Sequence, residues 1–481
     1  MKRIKMQSKI TRNLSYVMSS NIIVMALGLI IMLFLPRFIG SVEDYGYWQI
    51  YYYYSAFFGL FLFGLNDGFN LLLAGTKFKS LDKKGLSVVL LLIILLTSLF
   101  SIILIIAFLA FIPDHEYKFI FSATALTILL LNISGFSMHV NQVSLRFKQY
   151  SILSSLERVL FVGLFLPLIF FGLEGFQVYV MVNLGVRLLV ATYGIYSVRK
   201  VINLSEFNLR ALASEKHTIL KFIGVGWPLT YGTICATLIS TSSRIIVERT
   251  MSVYEYGLFS LAFSFSLVVG LFTATLPAVL YPTLKIIAAE MRERVFNSLH
   301  LLIIAAGTLA MSLSFTIPTF LELFLPDYKP IASYVSYLFP WIIYQLVSLA
   351  ILDVFYRLSR LEKQLFRNYF IGLIGIFLVQ YWAISTYHDI AIMLVSGLVF
   401  YAIWTHICGV YLVLRNKWKL RAVQLIDVPF VVLFISVNVW NNSLSGLSLY
   451  LATWLILSVF TYFLCSNEVK YIAKKMFTRA K

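Results

Sequence analysis

Charge and cysteine are both scarce in this chain. Asp, Glu, Lys and Arg make up 12% of its 481 residues, about half the share found in ordinary soluble domains. A soluble protein of this length could not cover its surface with so few polar groups. That excludes a soluble multidomain enzyme, a disordered chain and a nucleic-acid binder built on a soluble core. The three cysteines, Cys235, Cys408 and Cys465, are scattered through apolar stretches, so neither a disulfide framework nor a metal site is expected. No Gly-rich loop ends in Lys-Ser or Lys-Thr, and no His-Glu-x-x-His pattern occurs, so neither ATP hydrolysis nor zinc hydrolysis is expected. Long loops are missing too. The longest, between Val198 and Ile219, has about 20 residues, too few for an extramembrane core.

What the chain does have is apolar length. Hydrophobic residues make up 60% of it and aromatic residues 16%, and the mean hydropathy is +0.87. A helix needs about 20 mostly apolar residues to cross a bilayer, and fourteen stretches between Ser15 and Cys465 meet that need. The second runs from about Tyr47 to Asn66, the fifth from about Ile152 to Phe171 and the sixth from about Phe176 to Val198. The seventh covers about Ile219 to Val247, the eighth about Tyr256 to Leu280 and the thirteenth, the shortest, about Ile426 to Trp440. The expected fold is an all-α integral membrane protein of about fourteen transmembrane helices. The basic leader Lys2 to Arg12 precedes a first span too long for a cleaved signal peptide.

The charges are unevenly placed. The net charge is +18, from 39 basic and 21 acidic residues. Alternate links carry most of the cations: the leader, Lys77 to Lys84, Arg146 and Lys148, Arg199 to Lys221, Lys285 to Arg294, Arg357 to Arg367, Arg415 to Arg421 and the tail from Lys470. The intervening links hold only Arg37, Lys118, Arg244, Arg249 and Lys329. By the positive-inside rule the basic side is cytoplasmic. Both termini then lie on that side, which requires an even number of spans, and anionic membrane lipids are attracted there.

A short pattern repeats. Ser41-Val42-Glu43-Asp44-Tyr45-Gly46-Tyr47 follows the first span, and Ser252-Val253-Tyr254-Glu255-Tyr256-Gly257-Leu258 follows the seventh. The offset, 256 − 45 = 211 residues, also aligns Gly59-Leu60-Phe61 with Gly270-Leu271-Phe272, and Arg146 with Arg357. Spans 1–6 and 7–12 are therefore expected to be two copies of one unit. An even count per copy makes them parallel six-helix repeats around a central cavity, followed by a C-terminal helix pair. The expected division is an N-terminal lobe over 1–200, a cytoplasmic linker over 201–217, a second lobe over 218–415, and the extra helix pair with a basic tail over 416–481.

The segment Pro36-Arg37-Phe38-Ile39-Gly40-Ser41-Val42-Glu43-Asp44-Tyr45-Gly46-Tyr47-Trp48 resembles the first link of bacterial polysaccharide flippases. Phe63-Gly64-Leu65-Asn66-Asp67-Gly68, Lys221-Phe222-Ile223-Gly224-Val225-Gly226-Trp227-Pro228-Leu229 and Tyr254 to Ala262 are similar to later landmarks of the same family. These are the O-antigen and exopolysaccharide transporters of the multidrug/oligosaccharidyl-lipid/polysaccharide superfamily, which includes the MATE drug exporters. One departure is that Ser243 stands before Arg244, where relatives often carry Asp, so a local ion pair there is in doubt. The resemblance implies a non-enzymatic flippase in the bacterial inner membrane. Its cargo would be an undecaprenyl-diphosphate-linked oligosaccharide, moved by alternating access. Implied partners are that lipid-linked oligosaccharide and membrane lipids, with a polysaccharide polymerase and a chain-length regulator. No cofactor is expected, and the cycle runs on a proton gradient, a sodium gradient or mass action. The alternatives are a cation-coupled multidrug or small-molecule exporter and a membrane polymerase or transferase; the short outer loops weigh against the last.

Such a cargo needs water, hydrogen bonds and positive charge along its path. Arg187, the deepest cation, and Arg244 are the leading candidates for contact with the cargo, followed by Arg37 and Arg158; for each the alternative is a structural pair or snorkelling. Asp67 either couples transport to cations or caps a helix. Trp48 and Tyr51 either stack on sugar or belong to an interface belt. His139 and His406 are each read as a polar residue bonded to a neighbouring helix. Gly224, Gly226 and Pro228 mark a hinge or a static bend in the seventh span. No acid lies in the middle of the first span, where drug-exporter relatives commonly keep one, which weighs against a drug exporter.

Overall fold

The computed structural model describes residues 2–266 and 289–465, with positions 280 and 284 between them. Among the described residues there are helices and turns and no strand. This is what a bilayer demands, since a helix satisfies its own backbone polar groups where no water can. The chain divides into two compact units, 1–234 and 235–481. The dividing point lies inside one long helix, α9 (Lys216–Thr250).

Before α9, the first unit contains α1 (Lys2–Phe38), α2 (Val42–Ser55), α3 (Leu65–Leu73), α4 (Lys83–Phe111), α5 (His115–Val143), α6 (Phe147–Phe170), α7 (Phe176–Val198) and the short α8 (Leu209–Ser214). Helix α5 is its centre and packs on α2, α4, α6 and α7, while α1 lies along α6. After α9 the second unit contains α10 (253–266), α11 (Ala289–Ala310), α12 (Ile317–Phe324), α13 (Ala332–Leu346), α14 (Asp353–Leu358), α15 (Glu362–Tyr387), α16 (Ile390–Arg415), α17 (Asp427–Trp440) and α18 (Leu444–Leu464). There α13 packs on α11, α16 and α17, and α17 on α18.

Twelve described helices are long and apolar enough to span a membrane, and the bent pair α2/α3 would make a thirteenth. The span expected over Tyr256 to Leu280 is described only as far as Ser266; the rest lies outside the described residues. Two expected boundaries need correction. The second span is not one helix from Tyr47 to Asn66. Its helix stops at Ser55, a 3-10 turn covers Phe58–Leu62, and the chain bends by 65° before α3. The fifth begins at Phe147 rather than Ile152, which carries Glu157 and Arg158 to mid-helix.

The bend in the second span has a packing cause. Phe63 and Gly64 both have positive φ, at 51° and 85°, and Gly64 brings α3 against α9. A Cβ on Gly226 would collide with backbone atoms of Gly64 and Gly68, and one on Gly68 with the Phe222 carbonyl. Only glycine permits backbones to approach this closely.

The repeated pattern folds alike in both units. The Ser41 hydroxyl accepts from the Asp44 N–H at 3.0 Å, and Asp44 accepts from the Ser41 N–H at 3.2 Å. Ser252 and Glu255 make the same reciprocal cap at 3.2 and 2.9 Å. The offset is still 211 at these caps but not at the end of the fourth helix of each unit. There Leu145 and Arg360 take the left-handed turn, with Arg146 N–H donating to Asn141 and Leu361 N–H to Tyr356. The offset has grown to 361 − 146 = 215, about one helical turn. Arg146 therefore matches Leu361, and Gln142 matches Arg357. The π turn at Val347–Leu352 adds one of the extra residues.

Gly226→Ala and Gly68→Ala should each lower stability by about 1–3 kcal/mol, the usual cost of overpacking, read as a fall in the melting temperature of the purified chain. Gly224→Ala, at a position with open space around it, should leave that temperature nearly unchanged.

Candidate functional site

Four helices of the first unit converge on a polar centre. Arg187 lies eleven residues from each end of α7, about 16 Å of helix either way. That is the middle of a hydrocarbon layer about 30 Å thick. A bare cation there is very costly, and α6 supplies the answer. Glu157 accepts a hydrogen bond from Arg187 Nε at 3.3 Å, with Arg187 only 5% exposed. The guanidinium carbon sits 5.6 Å from the Tyr51 ring centre. The Tyr51 hydroxyl donates to Asn183, one turn before Arg187, at 2.9 Å and meets the Thr127 hydroxyl of α5 at 2.8 Å. Arg187 Nη1 is buried and has no hydrogen-bond partner among the described residues.

Arg158 joins the same centre from α6. It donates to the Tyr52 hydroxyl, and its guanidinium carbon is 5.3 Å from that ring. Trp48 stacks on Tyr52 with ring centres 6.2 Å apart and on Phe161 at 5.3 Å. Of the residues singled out from the sequence, the fold thus gathers Arg158, Arg187, Trp48 and Tyr51. Glu157 is paired with Arg187 and Arg158 is held by Tyr52, so two arginines and one acid stand at this centre and its formal charge is positive. Trp48 is 3% exposed and Tyr51 0%. Neither ring offers a face to a sugar in this conformation, because neighbouring side chains already cover both.

The other candidates lie elsewhere. Arg37 is exposed near the end of α1, 5.9 Å from the Phe38 ring. Arg244 is buried in the second unit among aromatic rings, 5.5 Å from Phe263 and 5.9 Å from Tyr256. Beside it in sequence, the Ser242 hydroxyl donates to Gln380 at 2.6 Å. Asp67 does not end a helix and does not cap one. Gly64 holds the N-cap position of α3, and Asp67 stands in the first turn. It accepts from the Thr230 hydroxyl of α9 and lies within electrostatic reach of His139 on α5. Asn66 Oδ1 and His139 Nδ1, both buried nearby, have no hydrogen-bond partner among the described residues. Helix α9 runs unbroken through Pro228, with Gly226 at the α3 crossing and open space at Gly224.

One partnership was missed in the sequence. The partnership of Glu157 with Arg187 joins α6 to α7 and leaves no pattern along either helix. The Asn183/Arg187 spacing of four was legible as one helix face. In the second unit His406 makes the inter-helix bond expected of it, Nε2 meeting Asp427 on α17 at 3.1 Å, beside a cavity of about 320 Å³ also lined by His300 and Tyr344.

Comparison with known proteins agrees with this architecture. The family model for "Polysaccharide biosynthesis protein" matches residues 10–288. No curated protein matches the sequence. Among solved structures, the chain is similar to the lipid II flippase MurJ in an inward closed conformation, with a TM-score of 0.66 at 13% identity, over 94% of this chain and 99% of that one. It is also similar to the MATE transporter VcmN of Vibrio cholerae, with a TM-score of 0.51 at 14% identity, over 85% and 97%. An inward-facing multidrug resistance MATE family transporter of the MOP superfamily gives 0.52 at 13%, over 82% and 98%. The chain shares its fold with these transporters, and it is a multi-pass membrane protein.

Glu157→Gln should strand Arg187 and destabilise the chain by roughly 3 kcal/mol, as removal of one partner of a buried pair does. The double variant Glu157→Gln/Arg187→Gln should recover most of that loss, measured as a double-mutant cycle on thermal unfolding.

Proposed function

The chain belongs to the polysaccharide biosynthesis protein family, and from that premise we propose that it is a flippase for undecaprenyl-diphosphate-linked oligosaccharide. It would carry such units from the cytoplasmic to the outer leaflet of a bacterial inner membrane by alternating access, without making or breaking covalent bonds. The observation that carries this reading is the excess positive charge at mid-depth of the first unit. Arg187 is paired with Glu157 and Arg158 is held only by Tyr52, so one cation exceeds the acids there, and among the described residues one Arg187 nitrogen is unmatched. Buried cations at that depth suit an anionic diphosphate, whose charge would otherwise be stranded in hydrocarbon. A cationic drug would be repelled there. Arg244 gives the second unit a buried cation of its own.

The basic ends of the helices face the cytoplasm in this reading, together with both chain termini. Trp48 and Tyr51 would reach a sugar only after α2 and α6 part, and bending of α9 near Gly224 and Pro228 would accompany the cycle. A polymerase and a chain-length regulator would act on the delivered units. A second reading, a cation-coupled exporter, draws on one observation, the polar group around Asp67, Thr230 and His139. The same group would let a proton or sodium gradient drive the flippase.

Cells without the chain should accumulate lipid-linked oligosaccharide on the cytoplasmic leaflet. Arg187→Lys, which keeps the charge beside Glu157 but loses the forked donor, and Arg244→Ala should each cut surface glycan roughly tenfold, the effect of one lost charge-assisted contact, at unchanged protein level. Full surface glycan in both single variants and in the double variant would overturn the reading.

A further inference from the structure

The basic segments of the first unit do more than mark one side. Lys79 and Lys83 at the start of α4, Arg146 at the start of α6, and Arg199 and Lys200 just past the end of α7 line one pocket of about 610 Å³. No acid lines it, and among the described residues none of the five cations is in an ion pair. Asp82, next to Lys83, is committed to the backbone, accepting from the N–H groups of Lys84 and Gly85 at 3.1 Å each.

Orientation alone does not account for this. The same bias acts on the second unit, yet there Arg357 pairs with Asp353 at 3.0 Å and Arg421 with Glu293 at 3.6 Å. The turn that corresponds to Arg146 carries Leu361 instead. In the first unit Arg146 is half-buried and already fixed. Its Nη1 donates to the Ser197 carbonyl at 3.0 Å and its guanidinium lies 4.1 Å over the Phe78 ring. A cation held in place before binding loses little conformational entropy on meeting an anion. The Tyr193 hydroxyl and Gln149 add hydrogen-bonding groups, and Phe78 and Val201 add apolar surface. Arg199 is twelve residues beyond Arg187, about 18 Å along the helix, so this is a different place from the polar centre.

We propose that this pocket is a docking site for the phosphate or diphosphate of a membrane lipid at the basic end of the first unit, with Arg146 as the fixed contact and the four other cations closing around the anion. Lipid phosphates lie at the depth where these helices end, and guanidinium and ammonium groups without carboxylate partners are what such anions require. The source is either a polyprenyl diphosphate or a bulk anionic phospholipid. The inference concerns binding only, so failure of transport would leave it standing.

The test uses the full chain in discs of phosphatidylcholine, with farnesyl diphosphate in one arm and phosphatidylglycerol in the other. The triple variant Lys83→Gln/Arg146→Gln/Lys200→Gln removes three pocket cations. Lys363→Gln/Arg415→Gln/Lys417→Gln removes three exposed cations from the second unit as a charge-matched control. Affinity should fall roughly tenfold or more in the pocket variant and change less than about twofold in the control, with both variants melting like the parent. Loss in the farnesyl diphosphate arm alone assigns the site to a polyprenyl diphosphate; loss in both arms assigns it to lipid phosphates in general. Equal loss in the two variants, or no loss in the pocket variant, overturns the proposal.

Discussion

A charge in the middle of a bilayer must be answered within the protein, and Glu157 gives that answer for the centre of the first unit. It holds Arg187 through Nε, which sets the guanidinium near the Tyr51 ring. Tyr51 is in turn bound through its hydroxyl to Thr127 and Asn183. Helices α2, α5, α6 and α7 are thereby tied at one depth by groups that cannot turn toward lipid without stranding a charge or a hydrogen bond. The charges are not fully answered, because Glu157 pairs with Arg187 while Arg158 rests on Tyr52.

A second constraint is steric. At Gly64, Gly68 and Gly226 two helix backbones come together with no room for a Cβ. That crossing breaks the second span and turns α3, which brings Asp67 to Thr230 and within reach of His139. The bend and the polar group around Asp67 are thus one feature. In a membrane, where apolar side chains gain little by leaving lipid, close backbone approach and buried hydrogen bonds are the forces left to bind helices together.

The duplicated plan has been kept where local chemistry enforces it and lost where it does not. Ser41/Asp44 and Ser252/Glu255 make the same reciprocal cap because four residues suffice to build it. By the end of the fourth span the register has slipped by a turn, and Arg146 and Arg357 no longer correspond. The two units have accordingly diverged in charge. Two basic-face arginines of the second unit, Arg357 and Arg421, are answered by Asp353 and Glu293, while Arg146 and Arg199 of the first converge on an open pocket.

Much of this was legible from residues in order. Hydropathy marks the spans because each needs its own run of apolar residues. The alternation of basic links sorts them to one end of the helices, and in the first unit those links do meet at one end. The caps and the family landmarks are likewise local patterns. Contacts between residues far apart in the chain were not legible. Nothing in the order of residues shows that Glu157 faces Arg187 thirty positions away, that Trp48 and Tyr51 are covered, or that Gly226 is a crossing point with α3. Nor does it show that Asp427 meets His406. The sequence by itself determined class, spans and the pool of charges. Only the tertiary structure decided which charges are answered and which are left open, because pairing in a low-dielectric interior depends on distances of a few ångströms between helices, and no periodicity along one helix encodes them.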